Sequence, residues 1–187
     1  YLTSGHYSGF DVSPSAIRWC RRAISSRHFN FHFADVDVFS RQYNRRGTIP
    51  PEEFSFPCQS ESIDVAFLGS ILTHLQPAAA ARYIAETARV LKPGGRAVVS
   101  FFLLDETVRR RLQRGELLPN FNTYPEPYYA LQEAENPEAA VAYDLKVVEE
   151  AIRGSGLSVS RVARGSWSDH GDAPSYQDIV VARKESR

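Results

Sequence analysis

Methionine is absent from all 187 residues, and cysteine occurs only twice, as Cys20 and Cys58. Neither cysteine belongs to a CxxC pair or has a His or Cys at ligand spacing. That argues against a disulfide scaffold and against any metal site, and it fits a reducing compartment, the cytoplasm. A surplus of one charge is lacking too, since 22 Lys+Arg balance 22 Asp+Glu. Polyanion binders carry a basic excess, so no nucleic-acid partner is expected. No apolar run approaches the ~18 residues of a membrane-spanning helix, so no membrane partner is expected either. Internal repeats and low-complexity tracts are also missing. The missing methionine has a further implication: translation begins at Met and this chain begins at Tyr1, so a segment upstream of Tyr1 is expected.

What is present is a length and a 43% hydrophobic content that suit a single core-bearing domain over residues 1–187. Tyr7–Val12 is a short β-prone run ending beside an acid. Ser13 and Pro14 then start a helix, as N-cap and first helical residue. Ala16, Ile17, Cys20, Ala23 and Ile24 fall on one helical face, with Arg18, Arg21 and Arg22 read as solvated charges off it. Phe29–Ala34 alternates as a half-buried strand does and is followed by Asp35. The stretch from Val36 to Ser62 is irregular and predicts a short helix or a functional lid. Ile63–Gly69 reads as a buried parallel strand. Pro77–Leu91 reads as a helix with Ala80, Ile84, Thr87 and Leu91 on one stripe, stopped by Lys92-Pro93-Gly94-Gly95. Arg96–Leu104 predicts a second buried strand. A basic helix around Val108–Arg114 and a Pro- and Tyr-rich segment follow, and helical periodicity returns over Glu138–Ser155. Leu157–Ala163 and Gln177–Ala182 predict two final strands. This alternation points to an open α/β sheet, mostly parallel, with helices on both faces.

Ligands of such sheets bind beyond the carboxyl ends of the strands. Three segments lie there: Asp11-Val12-Ser13, Asp35-Val36 and Gly69-Ser70. A carboxylate after one strand offers two acceptor oxygens to a ribose diol, and an acid after the next can accept from an adenine amino group. Gly69 permits close approach of a ligand to the backbone.

The segments YSGFDVSPSAIRWCRR, FHFADV and IDVAFLGSILTHLQPAAAARYIAETARVLKPGGRAVVS resemble, in order and spacing, the class I S-adenosylmethionine-dependent methyltransferases, closest to the small-molecule group. The likeness runs from Tyr7 to Ser100 and more loosely through QDIVVARK. It implies a Rossmann-like sheet with an antiparallel last strand, S-adenosylmethionine as cofactor and a small molecule as methyl acceptor. By that likeness Asp11 holds the cofactor ribose, Val12 packs on the adenine, and Ser13 beside them is a further cofactor-binding residue. Asp35 and Val36 address the adenine edge, and Gly69 and Ser70 border the methionine moiety. Residues 105–142 stand where such enzymes build an acceptor-side cap, in which Phe121, Tyr124, Tyr128 and Tyr129, with Trp167, either line a pocket or bury the cap.

The family's first strand and its acid-x-Gly-x-Gly-x-Gly turn are not in this sequence. Gly154-Ser155-Gly156 follows a helix and reads as a C-cap. That strand is central in the family sheet, so its absence predicts two strand edges without partners. His74 is the candidate general base, with a capping or packing role as the other reading; His170 beside Asp172 is a weaker candidate. The Arg109–Arg111 run reads as a solvated helix face. Two rivals to methyl transfer stand: a methyltransferase-like partner or regulatory module without activity, and a nicotinamide-dependent dehydrogenase. The last lacks a Tyr-x-x-x-Lys, because Tyr143 and Lys146 are one residue too close. Oligomeric state and acceptor identity are not encoded legibly.

Overall fold

Ser13 and Pro14 begin the first helix by the chemistry expected of them. In the computed structural model, which describes residues 2, 4–168 and 172–186, the Ser13 hydroxyl accepts from the Ala16 N–H at 3.4 Å and Pro14 is the first helical residue. Helix α1 (Pro14–Cys20) continues without a break into a π-helical turn, Arg21–Ser25. It connects two parallel strands, β1 (Tyr7–Asp11) and β2 (Phe31–Asp35), paired from Tyr7↔Phe31 to Asp11↔Asp35. This βαβ hairpin and the segment after it form one compact unit, Tyr1–Pro51. Ile17 and Val38 are its buried apolar residues among those described. Phe29, read as the start of a strand, is 88% exposed and lies before it. The irregular segment carries isolated bridges, Val38↔Ile49 and Ser40↔Asn44, and the 3-10 turn Pro51–Glu53.

The second unit, Glu52–Arg187, holds the larger core. Strands β3 (Ile63–Leu68), β4 (Leu91–Phe101), β9 (Leu157–Ala163) and β10 (Asp178–Lys184) form a sheet in the order β3-β4-β10-β9. β3 is parallel to β4, and β10 is antiparallel to both its neighbours. Helix α2 (Pro77–Val90) crosses from β3 to β4 with Ala80, Ile84 and Thr87 buried, as its stripe predicts. Lys92-Pro93-Gly94-Gly95 does stop the helix, but by bulging out of β4 opposite Asp64, with Gly94 at φ +80°. The Lys92 ammonium bridges to that Asp64 at 2.8 Å.

Three expectations are corrected in this unit. β3 is not buried throughout: it is an edge strand of its sheet, and Val65 and Phe67 are 64% and 71% exposed. The strand read as Arg96–Leu104 breaks at Phe102, and Leu103–Leu104 (β5) leaves for another sheet. The helical periodicity read over Glu138–Ser155 begins only at Leu145: α4 is Leu145–Gly154, capped by Asp144. The residues before it form strand β8 (Val141–Asp144). Its three apolar residues, Val141, Ala142 and Tyr143, satisfy either period, and pairing with two neighbours decides for extension.

That other sheet was not foreseen. It runs β5-β8-β7-β6, with β6 (Thr123–Glu126) and β7 (Tyr129–Leu131) drawn from the Pro- and Tyr-rich segment. Helix α3 (Glu106–Gln113), capped by Asp105, packs Val108 and Leu112 into its core. Phe102, Phe121 and Trp167 complete that core with ring centroids 5.1–5.6 Å apart.

Candidate active site

In the Tyr1–Pro51 unit, the two predicted acids stand at matched positions of adjacent parallel strands. Asp11 and Asp35 are register partners at the carboxyl ends of β1 and β2. One oxygen of Asp11, Oδ1, accepts the Ser13 N–H at 2.7 Å, so the acid also shapes the turn into α1. Asp35 pairs with Arg21, whose Nη2 is 3.0 Å from Oδ1 and whose Nε donates to the Phe33 carbonyl at 2.8 Å. Val12 and Val36 are half-buried beside these acids. Asp11, Val12, Ser13, Asp35 and Val36 are therefore brought together at one end of this unit. Arg21 is exposed, as a solvated charge should be. Its place beside Asp35 depends on the π-helical turn meeting β2, which no local pattern announces.

In the Glu52–Arg187 unit, Gly69, Ser70 and His74 share the loop that follows β3. The Phe67 ring lies over Gly69: a Cβ added there meets ring carbons at 2.6 and 2.8 Å. Ser70 sits in the left-handed region at φ +55°, a conformation that costs a residue with a Cβ roughly 1–2 kcal/mol. The loop is sewn to β8 of the second sheet at two points and to the segment just before β8 at a third. The Thr73 carbonyl accepts from Val141 N–H at 2.7 Å, the Leu75 carbonyl accepts from the Tyr143 hydroxyl, and His74 Nδ1 lies 2.8 Å from the Glu138 carbonyl. A carbonyl only accepts, so His74 carries its proton on Nδ1 and a further proton would go to Nε2. The ring is thereby tethered and held in one tautomer. His170, the weaker candidate, lies outside the described residues; Asp172 is exposed.

The cap aromatics divide. Phe121, Tyr129 and Trp167 are buried, which is the packing alternative, while Tyr124 and Tyr128 remain partly exposed. Burial also raises the Tyr143 hydroxyl above the usual phenol range. The Arg109–Arg111 run is not merely solvated. Arg109 donates to the Pro127 carbonyl, pairs with Asp144 at 3.3 Å and lies over the Tyr124 ring, and Arg111 pairs with Glu116.

Sequence reasoning passed over a buried polar centre beside this loop. Asp178, fully buried at the start of β10, accepts from Leu103 N–H, Gly165 N–H and Trp167 Nε1 at 2.7–2.8 Å. Arg164 lies 3.8 Å from it and also pairs with Asp105, the cap of α3. Burial raises the Asp178 carboxyl above its ordinary range, and the three donors and Arg164 only partly oppose this. The one signal was a polar pair, Gln177-Asp178, opening an apolar strand.

Among the described residues no helix is long and apolar enough to cross a membrane. The fold has close counterparts among solved structures. A Methanosarcina mazei S-adenosylmethionine-dependent methyltransferase is 19% identical, with 96% of this chain and 82% of that one covered at a TM-score of 0.60. A Pyrococcus horikoshii protein is 18% identical over 96% of this chain and 72% of its own, at 0.61. The Burkholderia thailandensis 1,6-didemethyltoxoflavin-N1-methyltransferase, solved with 1,6-didemethyltoxoflavin and S-adenosylhomocysteine, is 16% identical over 96% and 61%, at 0.57. A family model described as a methyltransferase domain matches residues 1–99, more than half the chain. With the strand-end acids and the open α/β sheet, that match places the chain in the class I S-adenosylmethionine-dependent methyltransferase family.

Proposed function

We propose that this chain transfers the methyl group of S-adenosylmethionine to a small-molecule acceptor by in-line displacement. The observation that carries the reading is the in-register pair Asp11 and Asp35 at adjacent strand ends. The residues present fit the cofactor: two carboxylates, neither deeply buried, can accept from a ribose diol and an adenine amino group. Asp11 takes the ribose with Ser13 next to it in the cofactor site, Val12 packs on the adenine, and Asp35 with Val36 takes the adenine edge. Gly69 and Ser70 border the methionine end. When bound, S-adenosylmethionine supplies an electrophilic methyl carbon and a thioether leaving group.

The protein's own share is alignment and exclusion of water. The 105–142 segment serves as the acceptor-side cap of one methyltransferase domain spanning both units. His74, with its proton on Nδ1, receives the acceptor's proton at Nε2 where the acceptor must lose one. The Burkholderia neighbour, whose acceptor is a small heterocycle, supports a small-molecule acceptor here.

Calorimetric titration with S-adenosylmethionine and with NAD tests the reading. Binding of the first and not the second is expected. Binding of neither ligand overturns it in favour of a partner or regulatory module.

A further inference from the structure

We propose that Gln177 is a positioning residue for this reaction, acting with Ser100 as a two-point clamp on Ser70. This rests on the methyltransferase reading for its role, and on the geometry for its existence. Ser70 holds a left-handed backbone although it carries a Cβ, and it does so at the loop assigned to the methionine end of the cofactor. Such a conformation persists only where surrounding contacts over-determine it. Here there are two. The Ser70 N–H donates to the buried Ser100 hydroxyl at 2.7 Å, and Gln177 Nε2 donates to the Ser70 hydroxyl at 2.7 Å.

The two anchors come from different strands. β4 lies between β3 and β10, so Ser70, just past the end of β3, and Gln177, just before β10, reach each other over the end of β4. The register agrees: Leu68 faces Val99, and Asp178 faces Phe101. Ser100 then grips the backbone from below while Gln177 grips the side chain from the far strand. Asp178, next to Gln177, is itself locked by three hydrogen bonds, so the amide is presented from a rigid base. A loop held this way keeps its backbone in one place while the cofactor enters, which is how pre-organisation raises affinity.

The clamp predicts a rescue that a purely structural role does not. Glycine adopts a left-handed backbone without strain, so Ser70→Gly makes the clamp unnecessary. Hydrogen exchange followed by NMR on the full chain reads the residue-70 amide directly. In Gln177→Ala its protection is expected to fall on the order of tenfold, the scale of the left-handed penalty, while the amides of β4 stay protected. In Ser70→Gly/Gln177→Ala the protection recovers. Ser100→Ala gives a second route to the same loss. Unchanged protection in Gln177→Ala, or no recovery in the double variant, overturns the clamp. Calorimetry on the same proteins and on Ser70→Gly reads the role: S-adenosylmethionine binds Gln177→Ala about tenfold more weakly than wild type, whereas Gln177→Ala causes no further loss in the Ser70→Gly background. Equal affinity of wild type and Gln177→Ala, or an equal loss in the Ser70→Gly background, overturns the positioning role. A wild-type chain that binds no S-adenosylmethionine removes the methyltransferase reading, while the exchange data still decide the clamp.

Discussion

Two pairs of carboxylates in this chain are chemically alike and physically opposite. Asp11 and Asp35, in the Tyr1–Pro51 unit, end adjacent strands, keep contact with solvent and are held by a turn N–H and one exposed ion pair. Asp178 and Glu86, in the Glu52–Arg187 unit, are buried and saturated with donors. Glu86 accepts from Phe56 N–H at 2.7 Å and from two nitrogens of Arg89, and Arg82 lies at 3.4 Å. Through these bonds α2 holds the segment that carries Phe54 and Phe56, whose rings pack on Tyr83. The difference teaches which acids can serve a ligand. A buried carboxylate already holding three hydrogen bonds is shut away from any ligand, whereas a lightly tied one at a strand end has both exposure and spare acceptor capacity.

The sharpest way to break this contrast is Asp178→Ala. It strips the partner from three buried N–H groups and leaves Arg164 facing no charge there, so a loss of about 3–5 kcal/mol is expected in urea unfolding. A loss below about 1 kcal/mol means the network is not structural. Glu86→Gln ranks next, at about 1–3 kcal/mol by the same measurement. Burial alone would raise the Glu86 carboxyl, but the Arg89 bonds, the Phe56 N–H and the charges of Arg89 and Arg82 outweigh it and hold the group below its usual range. Its stabilising contribution is therefore complete above the unfolded carboxylate pKa, near 4.5, and is lost as pH falls through the lower folded value. Wild-type protein should lose stability on acidification more steeply than Glu86→Gln; parallel curves would remove Glu86 as a source of acid sensitivity. Smallest in stability and largest in ligand affinity is Asp35→Asn. Loss of an exposed ion pair costs at most about 1 kcal/mol. Affinity for S-adenosylmethionine, read by calorimetry, is expected to fall about tenfold, and an unchanged affinity would place Asp35 with the structural acids.

Much of the first unit was legible because its partners lie close in the chain. The Ser13 cap, Pro14 at the first helical position and the strand-end acids are all read within a few residues of one another. In the second unit, α2 and its Lys92–Gly95 stop were legible for the same reason. The β5-β8-β7-β6 sheet was not, since β8 reads equally well as the first turn of α4 until β5 and β7 pair with it. Nor was the exposure of Val65 and Phe67. An apolar run states what a strand would prefer to bury, not which neighbours it has.

By itself the sequence determined the neutral charge, the alternation of strands and helices, and the placing of acids and a glycine at strand ends. It also carried the family likeness. Only the tertiary structure decided which carboxylates are buried and saturated, and that Arg21 stands beside Asp35. It alone set Ser70 in a left-handed backbone gripped by a residue 107 positions away. The physical reason is range: caps and turns are settled by bonds across two to four residues, whereas burial and clamping depend on which distant strands become neighbours.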